Sequence, residues 1–146
     1  MKQRVLVVDD DPRLVRVVAM YLSIEGYDVV TASDADSGLA EVDKQCPDLI
    51  ILDIMMGGLD GIEVCTRIRS NPRTAEIPVI MFSAISSGHD VERARLAGSN
   101  HLITKPFNLV GLRTVVRSFF ADIQIRVAED CRRAPRQHRS LLPTKL

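Results

Sequence analysis

Leu49-Ile50-Ile51-Leu52-Asp53 is a run of four branched apolar residues that ends in a carboxylate, and Ile54-Met55-Met56-Gly57-Gly58-Leu59-Asp60-Gly61 turns the chain away from it. An unbroken apolar run, rather than an alternating one, marks a strand covered on both faces, the usual condition inside a parallel sheet. Asp53 then stands at the carboxyl end of a central strand, the edge where open α/β sheets hold their chemistry.

Working outward, Val5-Leu6-Val7-Val8 repeats the pattern and closes on Asp9-Asp10-Asp11. Asp11 and Pro12 suit the cap and first position of a helix whose Leu14, Val17, Val18, Tyr21 and Leu22 recur at helical spacing up to Gly26. Asp28 to Ala32 is a short strand, and Ser33 with Asp36 three residues on reads as a capping-box start for a helix reaching Gln45, where Pro47 stops it. Ile62, Cys65 and Ile68 mark a third helix ending near Ser70, before Asn71-Pro72. Pro78 to Ser83 is the fourth strand, ending in a hydroxyl. A weakly apolar helix from about Asp90 to Ala97 leads to a brief strand, His101 to Thr104, closed by Lys105-Pro106-Phe107. Leu109, Leu112, Val116, Phe119, Phe120, Ile123 and Val127 give the last helix the strongest period in the chain.

Five alternations of strand and helix imply an α/β fold: a doubly wound, five-stranded parallel sheet with helices on both faces. We assign the flavodoxin-like order 2-1-3-4-5. That order sets the ends bearing Asp9/Asp10 and Ser83 about 5 Å to either side of Asp53, and strand five roughly 10 Å away, a span that a side chain as long as Lys105 can bridge.

Composition agrees with an ordinary globular domain: 146 residues, 46% hydrophobic and 26% charged. The net charge of zero hides an asymmetry, because six basic and two acidic residues lie from Arg126 to the end, leaving the preceding chain at minus four. Cys46, Cys65 and Cys131 form no metal-ligand spacing, and their odd number argues against a disulfide framework, which makes a cytoplasmic location the expectation. The start of the chain is too short in apolar residues for a signal sequence, and no stretch approaches a membrane span, so no membrane association is expected.

Carboxylates converging on one point repel one another, and a hard divalent cation relieves this. Magnesium takes oxygen ligands and commonly uses one or two carboxylates. Asp9, Asp10 and Asp53 offer such atoms. With a cation there, Asp53 is placed to act as a nucleophile toward a phosphoryl group, while Lys105 and the Ser83 hydroxyl share the charge on its oxygens.

Asp9-Asp10, Asp53, Ser83-Ala84 and Lys105-Pro106-Phe107, each after its own strand, together resemble the receiver domain of bacterial two-component response regulators. The resemblance covers roughly residues 3 to 121 and implies several further expectations. Residues 1–121 are the receiver domain, and 122–146 an extension of the last helix with a basic, disordered tail. The metal is Mg2+ (or Mn2+), held by Asp9, Asp10, Asp53 and the backbone carbonyl of Met55. The phosphoryl donor is a phosphohistidine on a sensor histidine kinase or histidine phosphotransfer protein, and a downstream protein target reads the result. The chain is thus a phosphoacceptor that catalyses only its own phosphorylation and dephosphorylation. The Lys105-Pro106 bond is expected to be cis. From the residues themselves, Ile123 and Val127 continue the apolar stripe of the last helix past Ala121, with the helix stopping before Pro135, and are expected to serve self-association as a homodimer or a partner.

Two features depart from the family's pattern. Met56 is followed by Gly57-Gly58 where proline is usual, and Leu102 replaces an aromatic switch residue. Met55 and Ile85, two residues beyond Asp53 and Ser83, cannot orient a hydrolytic water, so a long-lived phosphorylated state is expected. Two other readings are weaker. A haloacid dehalogenase-like phosphatase would use Asp9/Asp11, Ser83 and Lys105, but its late acidic pair is missing. A nucleic-acid binder would use the basic end, which lacks a helix-turn-helix pattern and stacking aromatics, so direct DNA binding is not expected. His89, His101 and His138 read as solvated.

Overall fold

The computed structural model describes residues 2–57, 60–84 and 88–121. The chain runs β1 (Arg4–Val8), α1 (Pro12–Ile24), β2 (Asp28–Ala32), α2 (Ala35–Gln45), β3 (Leu49–Asp53), α3 (Gly61–Ser70), β4 (Val79–Ser83), α4 (Gly88–Ala97), β5 (His101–Thr104) and α5 (Leu109–Phe120). The sheet is parallel throughout with the order β2-β1-β3-β4-β5, as the alternation of elements requires.

Side chains alternate across a strand, and here the alternation builds two separate cores. Leu6, Val8, Ile50, Leu52, Val79 and Met81 face the side covered by α2, α3 and α4, where Val42, Val64, Ile68 and Ala94 meet them. Val5, Val7, Leu49, Ile51, Ile80 and Phe82 face the other side, against Val18 and Leu22 of α1 and Leu112 and Val116 of α5. Every residue of β3 and β4 is buried, which is why those runs are continuously apolar.

The helix boundaries follow local chemistry. Asp11 caps α1 by accepting from the Arg13 and Leu14 amides, and Gly26 after its C-cap has φ +103, a left-handed turn that glycine adopts without strain. The α2 cap is Asp34 rather than Ser33, because the Asp34 carboxylate accepts the Ser37 amide at 2.7 Å and so starts the helix one residue later than the expected pair. α4 begins at Gly88, two residues before the sequence pattern suggested. Cys46 is disulfide-bonded, against the expectation drawn from the odd cysteine count, and its partner lies outside the described residues; Cys65 is a buried free thiol. α5 is capped at Ala121, and the expected stripe residues Ile123 and Val127, like the tail, lie outside the described residues. Among those described, no helix is long and apolar enough to cross a membrane.

One half-buried cation ties the lower edge together. Arg69 of α3 donates to the carbonyls of Gly98 (3.0 Å), Ala75 (2.9 Å) and Ile77 (2.6 Å) and to the Asn100 side chain (2.7 Å). Partial burial lowers its pKa, and the fan of acceptors compensates the water its guanidinium has lost.

Gly61, first residue of α3, lies directly against the β3 end: a Cβ there would overlap the Asp53 carbonyl and come within 2.9 Å of the Ile54 Cα. Both neighbours are backbone and cannot rotate away. Gly61→Ala is therefore expected to destabilise the domain by about 2 kcal/mol or more. Urea unfolding of the two proteins checks this.

Candidate functional site

Five strand ends and their loops meet at the carboxyl edge of the sheet. β1 delivers Asp9, which is 1% exposed and whose amide donates to the Ala32 carbonyl at 3.2 Å. Its two carboxylate oxygens are divided: Oδ1 accepts the Asp11 amide at 2.9 Å, and Oδ2 accepts the Lys105 ammonium at 2.9 Å. Asp10 beside it is exposed. β3 delivers Asp53, 3% exposed, whose Oδ1 accepts the Met55 amide at 3.4 Å and lies 3.4 Å from Lys105 Nζ.

β4 places Ser83 one residue past Phe82, the register partner of Asp53, so the buried hydroxyl lies on the neighbouring strand just beyond the acid. Lys105 follows β5, and its amide donates to the Ser83 carbonyl at 2.7 Å. The bond to Pro106 is cis, as expected. From there the side chain crosses β4 above the Phe82 ring, 5.8 Å from its centroid, and Phe107 stacks on that ring with centroids 4.6 Å apart. This aromatic shelf was not apparent in the sequence, although both phenylalanines flank residues that were singled out.

One oxygen from each of Asp9, Asp10 and Asp53 lies within 4.8 Å of the others. Against these three carboxylates the site sets one ammonium. Burial first and the Asp9 charge second push the Asp53 carboxyl up from 3.8 to about 6, while Lys105 and the Met55 amide pull it back. Burial opposes the charge of Lys105, but its hydrogen bond to Asp9 and the charges of Asp53 and Asp9 outweigh burial and raise its pKa. A cluster so short of positive charge, built of hard oxygen donors, fits a small divalent cation.

The remaining residues named from the sequence sort themselves. Asp11 is engaged in capping α1, so the Asp9/Asp11 pairing of a phosphatase is not formed. Met55 is 65% exposed at the mouth, whereas Met56 is buried in the core and takes no part. Leu102, paired with Met81, packs partly buried against the α2, α3 and α4 side. His89 and His101 are exposed. Ile85 and His138 lie outside the described residues.

A doubly wound sheet of this order with three acids, a hydroxyl and a cross-strand lysine at its carboxyl edge defines a receiver-type signalling module. Residues 5–117 match the model of the response regulator receiver domain, and the chain belongs to that family. It is 39% identical over 115 residues to the DNA-binding dual master transcriptional regulator RpaA of Synechocystis, covering 79% of this chain and 48% of that protein. It is 39% identical over 118 residues to the response regulator PleD of Caulobacter vibrioides, covering 81% and 26%. To the heme response regulator HssR of Staphylococcus aureus it is 38% identical over 118 residues, covering 78% and 51%. The chain thus spans about half or less of these relatives. Among solved structures, the Vibrio cholerae chemotaxis protein CheY4 superposes with a TM-score of 0.79 at 28% identity, covering 82% of this chain and 99% of that one. The BeF3-activated DrrB receiver domain gives 0.77 at 28%, covering 84% and 100%.

The raised Asp53 pKa has a defined sign. Because the folded value lies above the unfolded one, its contribution to stability is present below about pH 4 and lost as the pH rises through about 6. Asp53→Asn is expected to be more stable than the parent by about 1 to 2 kcal/mol near pH 7 without metal, with the gap closing toward pH 4. Mg2+ added near pH 7 should narrow it by stabilising the parent. Thermal unfolding at several pH values, with EDTA or Mg2+, measures both.

Proposed function

We propose that this chain accepts a phosphoryl group on Asp53 from a phosphohistidine of a sensor histidine kinase or histidine phosphotransfer protein, and thereby alters the face of α4, β5 and α5 read by a downstream protein. The observation that carries this reading is the Lys105 ammonium set between Asp9 at 2.9 Å and Asp53 at 3.4 Å, where it meets any charge added to the Asp53 oxygen. The Asp53 carboxylate attacks phosphorus; a P–O bond forms as the P–N bond breaks, and the electron pair leaves with the imidazole, which takes up a proton. Lys105 and the Ser83 hydroxyl then donate to phosphoryl oxygens. Asp9, Asp10, Asp53 and the Met55 carbonyl are the residues that would hold Mg2+ or Mn2+, which when bound supplies positive charge to the acids and to the transferred group.

The transfer is self-directed, and direct DNA binding forms no part of it. Loss of the phosphoryl group requires a water placed in line behind phosphorus. Met55 offers no group that orients one, so the acyl phosphate is long-lived.

Acetyl phosphate with Mg2+ is expected to add a single phosphate, seen by intact mass, and EDTA or Asp53→Asn to abolish it. Lys105→Ala should slow labelling by about tenfold or more. Undiminished labelling of Asp53→Asn refutes the assignment.

Met55→Asn places an amide where water must be held, and phosphate release from the labelled protein should rise by about tenfold. Release at the parental rate would show that this side chain does not set the lifetime.

A further inference from the structure

α4 is sparsely anchored. Ala94 is its buried residue among those described, while Val91 and Leu96 stand 46% and 71% exposed. Its carboxyl end is nonetheless fastened: the Cys65 thiol donates to the Ala97 carbonyl at 3.3 Å, Arg69 holds the Gly98 carbonyl at 3.0 Å, and Gly98 itself turns the chain at φ +98. The middle of the helix is held differently, through charge. Arg93 Nη2 donates to Asp60 Oδ2 at 3.2 Å, and its Nη1 lies 3.6 Å from Asp90, which orients the guanidinium.

Asp60 is not an arbitrary partner. Its other oxygen accepts the Glu63 amide at 3.0 Å as the cap of α3, so the side chain is fixed at both oxygens. Asp60 also precedes Gly61, which donates from its amide to the Ile54 carbonyl at 2.9 Å and abuts the Asp53 carbonyl with no room for a Cβ. A shift of the Asp53-Ile54 backbone is therefore passed by contact to residues 60 and 61, and from the Asp60 carboxylate to α4. Leu102 gives β5 no aromatic ring to make this connection by another route.

We propose that Asp60 and Arg93 form a strap that holds the middle of α4 against α3 while Asp53 is unmodified, and that carries displacement of the Asp53 loop to α4 when the acid is loaded. The proposal rests on Asp53 being the acceptor. It turns a helix fastened at its carboxyl end into a lever moved from its middle. Because both partners are 37% exposed, the strap weakens with ionic strength.

Hydrogen exchange on the full chain, with Mg2+ and with or without beryllium fluoride as the phosphoryl mimic, tests it. Asp60→Asn keeps a cap oxygen for α3 and removes the charge; Arg93→Gln removes the other partner, and Arg93→Lys retains a cation. In the parent, loading should change exchange over residues 54–57 and over 88–97. In Asp60→Asn and Arg93→Gln, unloaded α4 amides should exchange about two- to fivefold faster, and the loading response over 88–97 should fall by about half or more. The response over 54–57 should persist in both variants, and Arg93→Lys should restore part of the α4 response. Parental α4 exchange with an undiminished response in both variants overturns the strap, as does a parent in which 54–57 respond and 88–97 do not. No response at 54–57 in the parent overturns instead the reading of Asp53, and with it the coupling built on that reading.

Discussion

The bond between Lys105 and Asp9, with Asp53 beside it, is the constraint around which the rest of the site is arranged. Three carboxylates gathered at a buried edge are unstable by themselves, and one ammonium answers only part of their charge. The strand order makes even that ammonium hard to supply. β5 is separated from β3 by β4, so the cation must come on a long, flexible stem laid across another strand. Phe82, itself stacked on Phe107, forms the surface over which that stem passes. The remaining shortage of positive charge is what suits the cluster to a divalent ion.

The central strands and the residues ending them were legible because their signal is local. Leu49 to Asp53 and Val79 to Ser83 lie buried on both faces, a condition that writes itself into consecutive residues. Once those strands are ordered, Asp9, Asp53, Ser83 and Lys105 fall on one edge, and the structure brings them there. The cap of α2 was misplaced by one residue because Ser33 and Asp34 are both competent caps, and only the reach of the Asp34 carboxylate to Ser37 separates them. The Cys46 disulfide was missed because an odd count cannot say which cysteines meet. Contacts distant in the chain left no periodic trace: Arg69 to Gly98 and Arg93 to Asp60 join residues 29 and 33 positions apart, and nothing in either neighbourhood announces the other.

The elements differ in how firmly they are held, and the difference follows their use. The acids and the lysine sit on strand ends backed by two cores, where a displacement of the backbone meets close-packed side chains. α4 offers mostly solvated side chains and polar ties, so it responds at lower cost than any strand. Firmly held acids thus stand beside a loosely held helix in one domain.

The two cores are separated by the sheet itself, with Leu6 and Ile50 on one side and Val7 and Ile51 on the other. Neighbouring residues in a strand therefore belong to different packing problems. Substitutions on opposite faces combine nearly additively, whereas those on one face must be compensated by partners on that face. The layer beneath α1 and α5 can therefore be repacked while the layer beneath α2, α3 and α4 stays matched to its own helices, so one short chain holds two separate fitting problems.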